Sequence, residues 1–269
     1  ARAVPRAGRS GSSAREPVAS LAYDRRARVP WTLHVVARNR AIPAAALGYR
    51  VDGPARFGLE VPAFAPAWLG TAAPIAVLIP GASRPEKLWP EDRWIAIGRL
   101  LVARGLRLAW LWGSADERER VLRLAAACGD VLDAGLTDAG RAESARVGAA
   151  GAAGAAGAAG AAGAGDGPRV VRPRDVAPTS VVPPFLSVAD AAGLLAAARV
   201  VVGLDTGFTH LAGALGRPTV GVFCDFDATQ CAVSGDGPCE SFGGIGLTPP
   251  VADVAGAIER MLGATPPPP

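Results

Sequence analysis

The sequence predicts an α/β fold: a Rossmann-like parallel sheet with helices on both faces. Short apolar runs alternate with amphipathic helical patterns between residues 75 and 262. The apolar runs show no polar alternation, which is typical of strands buried on both faces. Residues 200–223 hold a valine-rich strand, a tight turn, a helix and a second strand, so they form a βαβ unit. Its turn lies at the carboxyl end of a strand, where open α/β sheets bind ligands.

The elements of this domain, residues 75–263, can be taken in chain order. A buried strand at 75–79 leads through a loop at 80–90 into an amphipathic helix at 91–104, and Gly105 ends that helix. The remaining predicted elements are a strand at 106–112, a helix at 116–128, a short strand at 131–132, a helix at 187–199, a strand from 200, a helix at 208–215, a strand at 219–223 and a helix at 251–262.

The rest of the chain divides into four segments. Residues 1–50 are predicted to be a remnant and hinge of an N-terminal domain, frayed over 1–14 and helical over 31–47. Residues 51–74 are rich in Pro and Gly and predict a linker. Gly-Ala-Ala repeats predict a flexible, disordered insertion at about 134–183, and residues 264–269 form a proline-rich tail. Met261 is the only methionine, so we expect the protein to continue upstream of Ala1.

Composition narrows the classes of partner. The net charge is +4, and the arginines are scattered rather than striped, so no nucleic-acid partner is indicated. A mildly basic surface suits an anionic substrate or a membrane face. Four cysteines without a C-x-x-C pair, and two histidines, do not match the usual zinc spacings, so we expect free thiols and no metal or cofactor. No apolar run reaches the ~20 residues of a transmembrane segment.

The loop at 80–90 carries groups that suit a diphosphate. Ser83 offers a hydroxyl, Arg84 and Lys87 offer cations, and Gly81 permits a close backbone approach. The loop is not a P-loop, and no Gly-x-Gly-x-x-Gly follows a strand. The alternative is that Lys87 is a solvated loop lysine.

The turn before the helix at 208–215 is the second candidate. Asp205 and Thr206 are both good N-cap residues, and the free N–H groups of a helix N-terminus suit a phosphate. The alternative is a capped helix beside a core strand, and both interpretations stand at this point. Since a helix N-terminus disfavours positive charge, we expect His210 to be neutral, either hydrogen bonding or merely packed. Glu117 could bind a ribose, or it could only interact favourably with the dipole of its own helix.

Together these loops resemble one known family. Lys87-Leu-Trp-Pro, Trp112-Gly with Glu117 behind it, and Asp205-Thr-Gly-Phe-Thr-His210 are similar to the donor half of the bacterial ADP-heptose:lipopolysaccharide heptosyltransferases, glycosyltransferase family 9, which have a GT-B fold. The upstream motifs resemble the hinge region of heptosyltransferase I: Ser13-Ala-Arg-Glu-Pro17, Tyr23-Asp-Arg25, His34, Arg38-Asn-Arg40 and Leu47-Gly-Tyr49. Two positions depart from the family pattern, Ala82 in the first loop and Asp227 after the last strand.

The resemblance implies an inverting transfer of heptose from ADP-heptose to the Kdo of the lipopolysaccharide inner core. Ser83 and Lys87 would hold phosphate oxygens, and Glu117 the ribose. The backbone N–H groups of Thr206 and Gly207 would face the diphosphate. Asp205 and His210 would lie close to the sugar.

The acceptor, Kdo-lipid A, would approach from the other side of the cleft, with the protein lying peripherally on the cytoplasmic face of the inner membrane. The resemblance places the catalytic base in the N-terminal domain, outside this chain, with Asp205 as the candidate within it. The chain alone is therefore expected to be inactive. Four residues are expected on the acceptor side: Arg15, His34, Arg38 and Arg40.

Two other functions fit the same fold. A non-catalytic ADP-sugar-binding fragment would need the donor loops alone. An NAD-dependent oxidoreductase would share the alternation of strands and helices but lacks the glycine fingerprint.

Overall fold

The computed structural model describes residues 5–14, 16–70, 73–136 and 178–264. These residues form nine strands, all in parallel sheets: two in a small sheet and seven in a large one. The strands are β1 (Ala7–Arg9), β2 (Arg25–Ala27), β3 (Ile75–Ile79), β4 (Arg107–Trp110), β5 (Val131–Asp133), β6 (Ser180–Val182), β7 (Val200–Leu204), β8 (Thr219–Phe223) and β9 (Cys239–Gly243). The α-helices are α1 (Val35–Leu47), α2 (Glu91–Ala103), α3 (Ala115–Cys128), α4 (Val188–Ala196), α5 (Gly207–Ala214), α6 (Ala228–Cys231) and α7 (Val251–Ala264).

The large sheet is buried on both faces, which confirms the predicted fold class. Every residue of β3, β7 and β8 is buried. Successive side chains of β3 point to opposite faces, so Leu78 joins one core cluster and Val77 the other. Helices α2, α3 and α7 cover the first face, and α4 and α5 cover the second.

The strand order explains where a ligand can bind. The order is β5-β6-β4-β3-β7-β8-β9, so β3 has β4 on one side and β7 on the other. After β3 the chain forms β4, β5 and β6 on one side of β3. It then forms β7, β8 and β9 on the other side. A crevice opens at such a switch point, outside the carboxyl ends of the strands. Here it is bounded by the loops that follow β3, β4 and β7.

The predicted insertion at 134–183 is too long, because its last residues form a strand. Ser180–Val182 is fully buried as β6, between β4 and β5. Three residues bounded by prolines are too few to show a hydrophobic period. Strand β9 was also missed, since its half-buried sequence Cys-Glu-Ser-Phe-Gly lies at the sheet edge. The repeats at 148–163 lie outside the described residues.

The N-terminal segment is more ordered than expected. Ala7–Arg9, predicted to be frayed, pairs in parallel with Arg25–Ala27. Helix α1 begins at Val35 rather than at residue 31, with His34 as its N-cap. It ends at Gly48, as predicted, in a left-handed conformation with φ of 78°.

The predicted linker packs against the large domain. Residues 51–70 contain no helix or strand, yet Trp68 and Leu69 are buried in the second core cluster. Phe64 lies against α4, where a Cβ added to Gly193 would come within 2.5 Å of the Phe64 Cβ. Across the described ranges, none of the helices combines the length and apolarity needed to span a bilayer.

Candidate functional site

A cavity of about 510 Å³ lies at the carboxyl ends of β3, β4 and β7. Its volume is within the range of small-molecule sites, roughly 300–1,000 Å³. Thirteen residues line it: Ile79, Gly81, Ala82, Ser83, Leu111, Trp112, Gly113, Ser114, Glu117, Asp205, Thr206, Gly207 and Phe208. Five of the predicted site residues are therefore brought together at the predicted switch point.

Glu117 is held between the loops after β3 and β4. The Ser114 hydroxyl caps α3 by accepting a hydrogen bond from the Glu117 N–H over 3.2 Å. The carboxylate accepts one from the Gly113 N–H over 2.7 Å. A Cβ added to Gly81 would lie 2.4 Å from Glu117 Oε1, so the carboxylate needs a glycine there. Glu117 is therefore fixed in the cavity wall and does more than complement its helix dipole.

The N-terminus of α5 forms another wall. Thr206 is the N-cap residue, but its side chain accepts no hydrogen bond from the helix backbone. Its hydroxyl lies 3.2 Å from that of Thr209, which donates to the Leu204 carbonyl over 2.6 Å. The first N–H groups of a helix have no intrahelical acceptors. Since no side chain at the N-cap takes their place, this end of the cavity suits an anion.

Asp205 lies at the centre of a charged cluster. Its Oδ2 accepts a hydrogen bond from Lys87 Nζ over 2.7 Å, and both side chains are largely buried, 14% and 16% exposed. Its Oδ1 lies 3.3 Å from His210 Nε2. Burial alone would raise the pKa of Asp205, but the hydrogen bonds and charges of His210 and Lys87 outweigh burial and lower it. Asp205 is thus not a simple N-cap, and Lys87 is not a solvated loop lysine.

The expectation that His210 is neutral is wrong. The hydrogen bond to Asp205 is the largest cause that raises the pKa of His210, to about 9, with the Cys231 thiol contributing. A carboxylate at 3.3 Å has a stronger effect than a helix dipole, whose influence is about 0.3–1 kcal/mol. Below that pH the two cations outnumber the single carboxylate, so the cluster carries a net positive charge.

Trp112 was predicted only as part of a motif, and Leu111, Ser114 and Phe208 were not predicted to line the cavity. All four directly follow β4 or begin the helix after β7, so strand ends were the signal that could have found them. Trp112 donates its indole N–H to the Pro183 carbonyl over 2.9 Å, which fixes its ring in the wall.

The residues predicted on the acceptor side do not line this cavity. Arg38 is buried, lies 4.8 Å from the centre of the Trp31 ring and donates to the Trp31 carbonyl. Arg40 donates to the Gly53 carbonyl over 3.1 Å. Arg15 lies outside the described residues.

His34 connects the N-terminal segment to the large domain. Its Nδ1 accepts a hydrogen bond from the Val36 N–H over 3.3 Å, so Nε2 carries the proton. His34 Nε2 donates that proton to the Ala232 carbonyl over 2.9 Å, just after α6. Its observed role is to join two segments.

Comparisons with known proteins agree with this geometry. The profile of Glycosyltransferase family 9 (heptosyltransferase) matches residues 1–138 and 171–236. Lipopolysaccharide heptosyltransferase 1 of Pseudomonas aeruginosa is 34% identical over 221 residues, which is 82% of this chain and 48% of that protein. The enzyme of the same name from Salmonella typhimurium is 29% identical over 218 residues, 80% of this chain and 53% of its own. This chain thus spans about half the length of these curated relatives.

Solved structures show the same fold. The E. coli heptosyltransferase WaaC with ADP superposes with a TM-score of 0.62 at 26% identity, covering 94% of this chain and 65% of that one. A family 9 glycosyl transferase from Veillonella parvula has a TM-score of 0.57 at 12% identity, covering 89% of this chain and 63% of its own, and supports the fold alone. Because the profile matches more than half of its residues, the chain belongs to glycosyltransferase family 9.

Proposed function

We propose that this chain forms the donor side of a heptosyltransferase that transfers heptose from ADP-heptose to the Kdo of the lipopolysaccharide inner core, with inversion. The observation that carries the proposal is the pairing of two features at one cavity. The N-terminus of α5 is left without a side-chain cap, and the net positive Lys87–Asp205–His210 cluster lies directly beside it. Both favour a diphosphate at the same place.

The remaining cavity walls fit the other parts of an ADP-sugar. Glu117 is held with its carboxylate in the wall, where it can accept hydrogen bonds from ribose hydroxyls. Leu111, Trp112 and Phe208 supply apolar surface for a base. Ser83 is exposed in the loop after β3 and can donate to phosphate. That the similar WaaC structure contains ADP supports this assignment.

The cluster also suits the chemistry of transfer. When the glycosidic bond to phosphate breaks, negative charge develops on the leaving diphosphate. Backbone N–H groups and fixed cations placed there stabilise the transition state without reorganising. Lys87 and protonated His210 are held in position by their shared contact with Asp205.

Asp205 is a poor candidate for the general base. Its lowered pKa and its two charged partners disfavour proton uptake from an acceptor hydroxyl. We propose that the base belongs to an acceptor-binding domain, as the family resemblance implies. A second candidate function follows, an ADP-sugar-binding unit without transferase activity, because the described residues contain one large sheet, which carries the donor cavity.

The acceptor side of the proposal includes Kdo-lipid A and a peripheral position on the cytoplasmic face of the inner membrane. The N-terminal segment supports it, since Val18, Leu21 and Leu47 are 73–76% exposed. Arg25 and Arg26 are exposed in the same segment. Apolar and basic side chains together favour an anionic lipid surface.

Gly207 offers a sharp test of the diphosphate site. It is the first residue of α5, where proline is tolerated, and Thr206 before it has an extended backbone with ψ of 161°. Gly207→Pro therefore removes one N–H while keeping the helix. Gly207→Ala is the matched control, because an added Cβ there meets nothing within 4 Å.

Calorimetric titration with ADP should show binding to the wild-type chain and to Gly207→Ala. Gly207→Pro should bind about 10–150-fold more weakly, which corresponds to the roughly 1.5–3 kcal/mol of a hydrogen bond to a charged group. Equal ADP affinities of the proline and alanine variants would show that the Gly207 N–H does not bind the diphosphate. Binding of NAD in preference to ADP would favour the oxidoreductase.

A further inference from the structure

Three metal-ligating side chains from different segments meet beside the donor cavity. Asp205 follows β7, His210 lies in the first turns of α5, and Cys231 ends α6. One ligand atom from each lies within 4.8 Å of the other two. Sequence spacing gave no sign of this cluster, because the fold brings together residues that no Cys/His motif relates.

Two of the three ligand–ligand distances are close to the edges of a metal tetrahedron. His210 Nε2 lies 3.3 Å from Asp205 Oδ1 and 3.8 Å from Cys231 Sγ. Zinc binds nitrogen and oxygen at about 2.0–2.2 Å and sulfur at about 2.3 Å. In a tetrahedral site these lengths place nitrogen and oxygen about 3.3 Å apart, and nitrogen and sulfur about 3.5 Å apart. The third edge, from the Asp205 carboxylate to Cys231 Sγ, lies within 4.8 Å, so metal binding would draw the sulfur towards the other two ligands.

The three groups remain available for a cation despite their other contacts. Lys87 binds Oδ2 of Asp205, which leaves Oδ1 facing His210. All three residues are partly exposed, so an ion can enter from solvent. A thiolate, an imidazole and a carboxylate form a ligand set that selects zinc-like ions over magnesium or calcium.

We propose that Asp205, His210 and Cys231 form a binding site for a thiophilic divalent cation of the Zn²⁺ class, with a fourth position open to water. Cys231 Sγ, His210 Nε2 and Asp205 Oδ1 are its protein ligands. The site shares Asp205 with the donor cavity but needs no nucleotide, so it does not rest on the proposed function.

A metal ion at this site replaces the proton on His210 Nε2, because an imidazole nitrogen must be unprotonated to bind a metal. The groups that face His210 are Asp205, Lys87 through Asp205, and Cys231, with the edge of the Phe223 ring packed alongside.

Cobalt makes the thiolate ligand visible. Titrating the reduced 269-residue chain with Co²⁺ should produce a thiolate-to-cobalt charge-transfer band and the visible absorption of a tetrahedral ion, both displaced by Zn²⁺. Cys231→Ser should abolish the charge-transfer band and weaken Zn²⁺ binding by about 100-fold or more, since even outer partners of metal ligands are worth 10–100-fold. His210→Gln should weaken Zn²⁺ binding similarly.

Cys239→Ser is the matched control, because Cys239 is also a half-buried free thiol but lies in β9. It should leave both the spectrum and the affinity unchanged. A thermal melt of each variant verifies folding. Absence of a charge-transfer band in wild type, or an undiminished band in Cys231→Ser, would overturn the proposal.

Discussion

The protonation of His210 gives a prediction that can be worked from the structure. Its pKa is raised from 6.5 to about 9, mainly by the hydrogen bond to Asp205. A raised pKa in the folded state adds stability that is fully present below pH 6.5 and is lost as the pH rises through about 9. The full shift corresponds to about 3 kcal/mol. Because the His210 side chain is 31% exposed, solvent screening reduces the expected contribution to about 1–2 kcal/mol.

The assay is direct because the chain contains only two histidines. In carbon–proton correlation spectra the imidazole signals of His34 and His210 can be assigned by replacing each with Gln and then followed with pH. The midpoint of His210 should lie near 9, and Asp205→Asn should bring it back towards 6.5. Urea unfolding from pH 6.5 to 9 should show a falling stability that His210→Gln lacks. A wild-type midpoint near 6.5, or one that Asp205→Asn leaves in place, would refute the charged cluster.

Three further predictions concern the donor site. Lys87→Ala should weaken ADP binding by about 10-fold or more in calorimetry. Arg104→Ala is the control, because Arg104 forms an exposed ion pair with Glu259, and it should leave ADP binding unchanged. Equal losses of affinity would indicate that only the net charge of the protein matters. Gly81→Ala should displace the Glu117 carboxylate, so it should weaken the binding of ADP more than the binding of inorganic pyrophosphate. An equal loss of affinity for both ligands would show that Glu117 does not contact the ribose. We propose that the base and the acceptor site belong to a further domain, and loss of a general base costs about 10²–10⁴-fold. The 269-residue chain, incubated with ADP-heptose and Kdo-lipid A, should therefore show no heptosylated lipid by mass spectrometry; normal turnover would place a base within this chain.

The sequence predicted those parts of the fold in which residues near in the chain determine the structure. Strand β7, the turn at Thr206 and helix α5 are encoded in one continuous stretch, and the cavity follows from the rule for strand ends. Strand β6 could not be predicted, because three residues carry no period and their burial depends on β4 and β5.

Contacts between distant residues account for the other differences. The charge of His210 depends on the position of the Asp205 carboxylate. That position in turn depends on a hydrogen bond from Lys87, 118 positions earlier in the chain. Arg38, which was expected on the acceptor side, is buried against the Trp31 ring. The meeting of Cys231 with His210 likewise depends on how α6 packs, which no local pattern specifies.

Hydrogen–deuterium exchange of the chain with and without ADP tests the central claim, that the crevice at the β3–β4–β7 strand ends is the nucleotide site. ADP should slow exchange in three segments at once, residues 81–87, 112–117 and 205–210, because each contributes a wall of the same cavity. The second cavity, lined by Val36, Arg40, Tyr49 and Phe57 among others, provides the internal control. Protection confined to residues 36–57, with the three loops unchanged, would contradict the account.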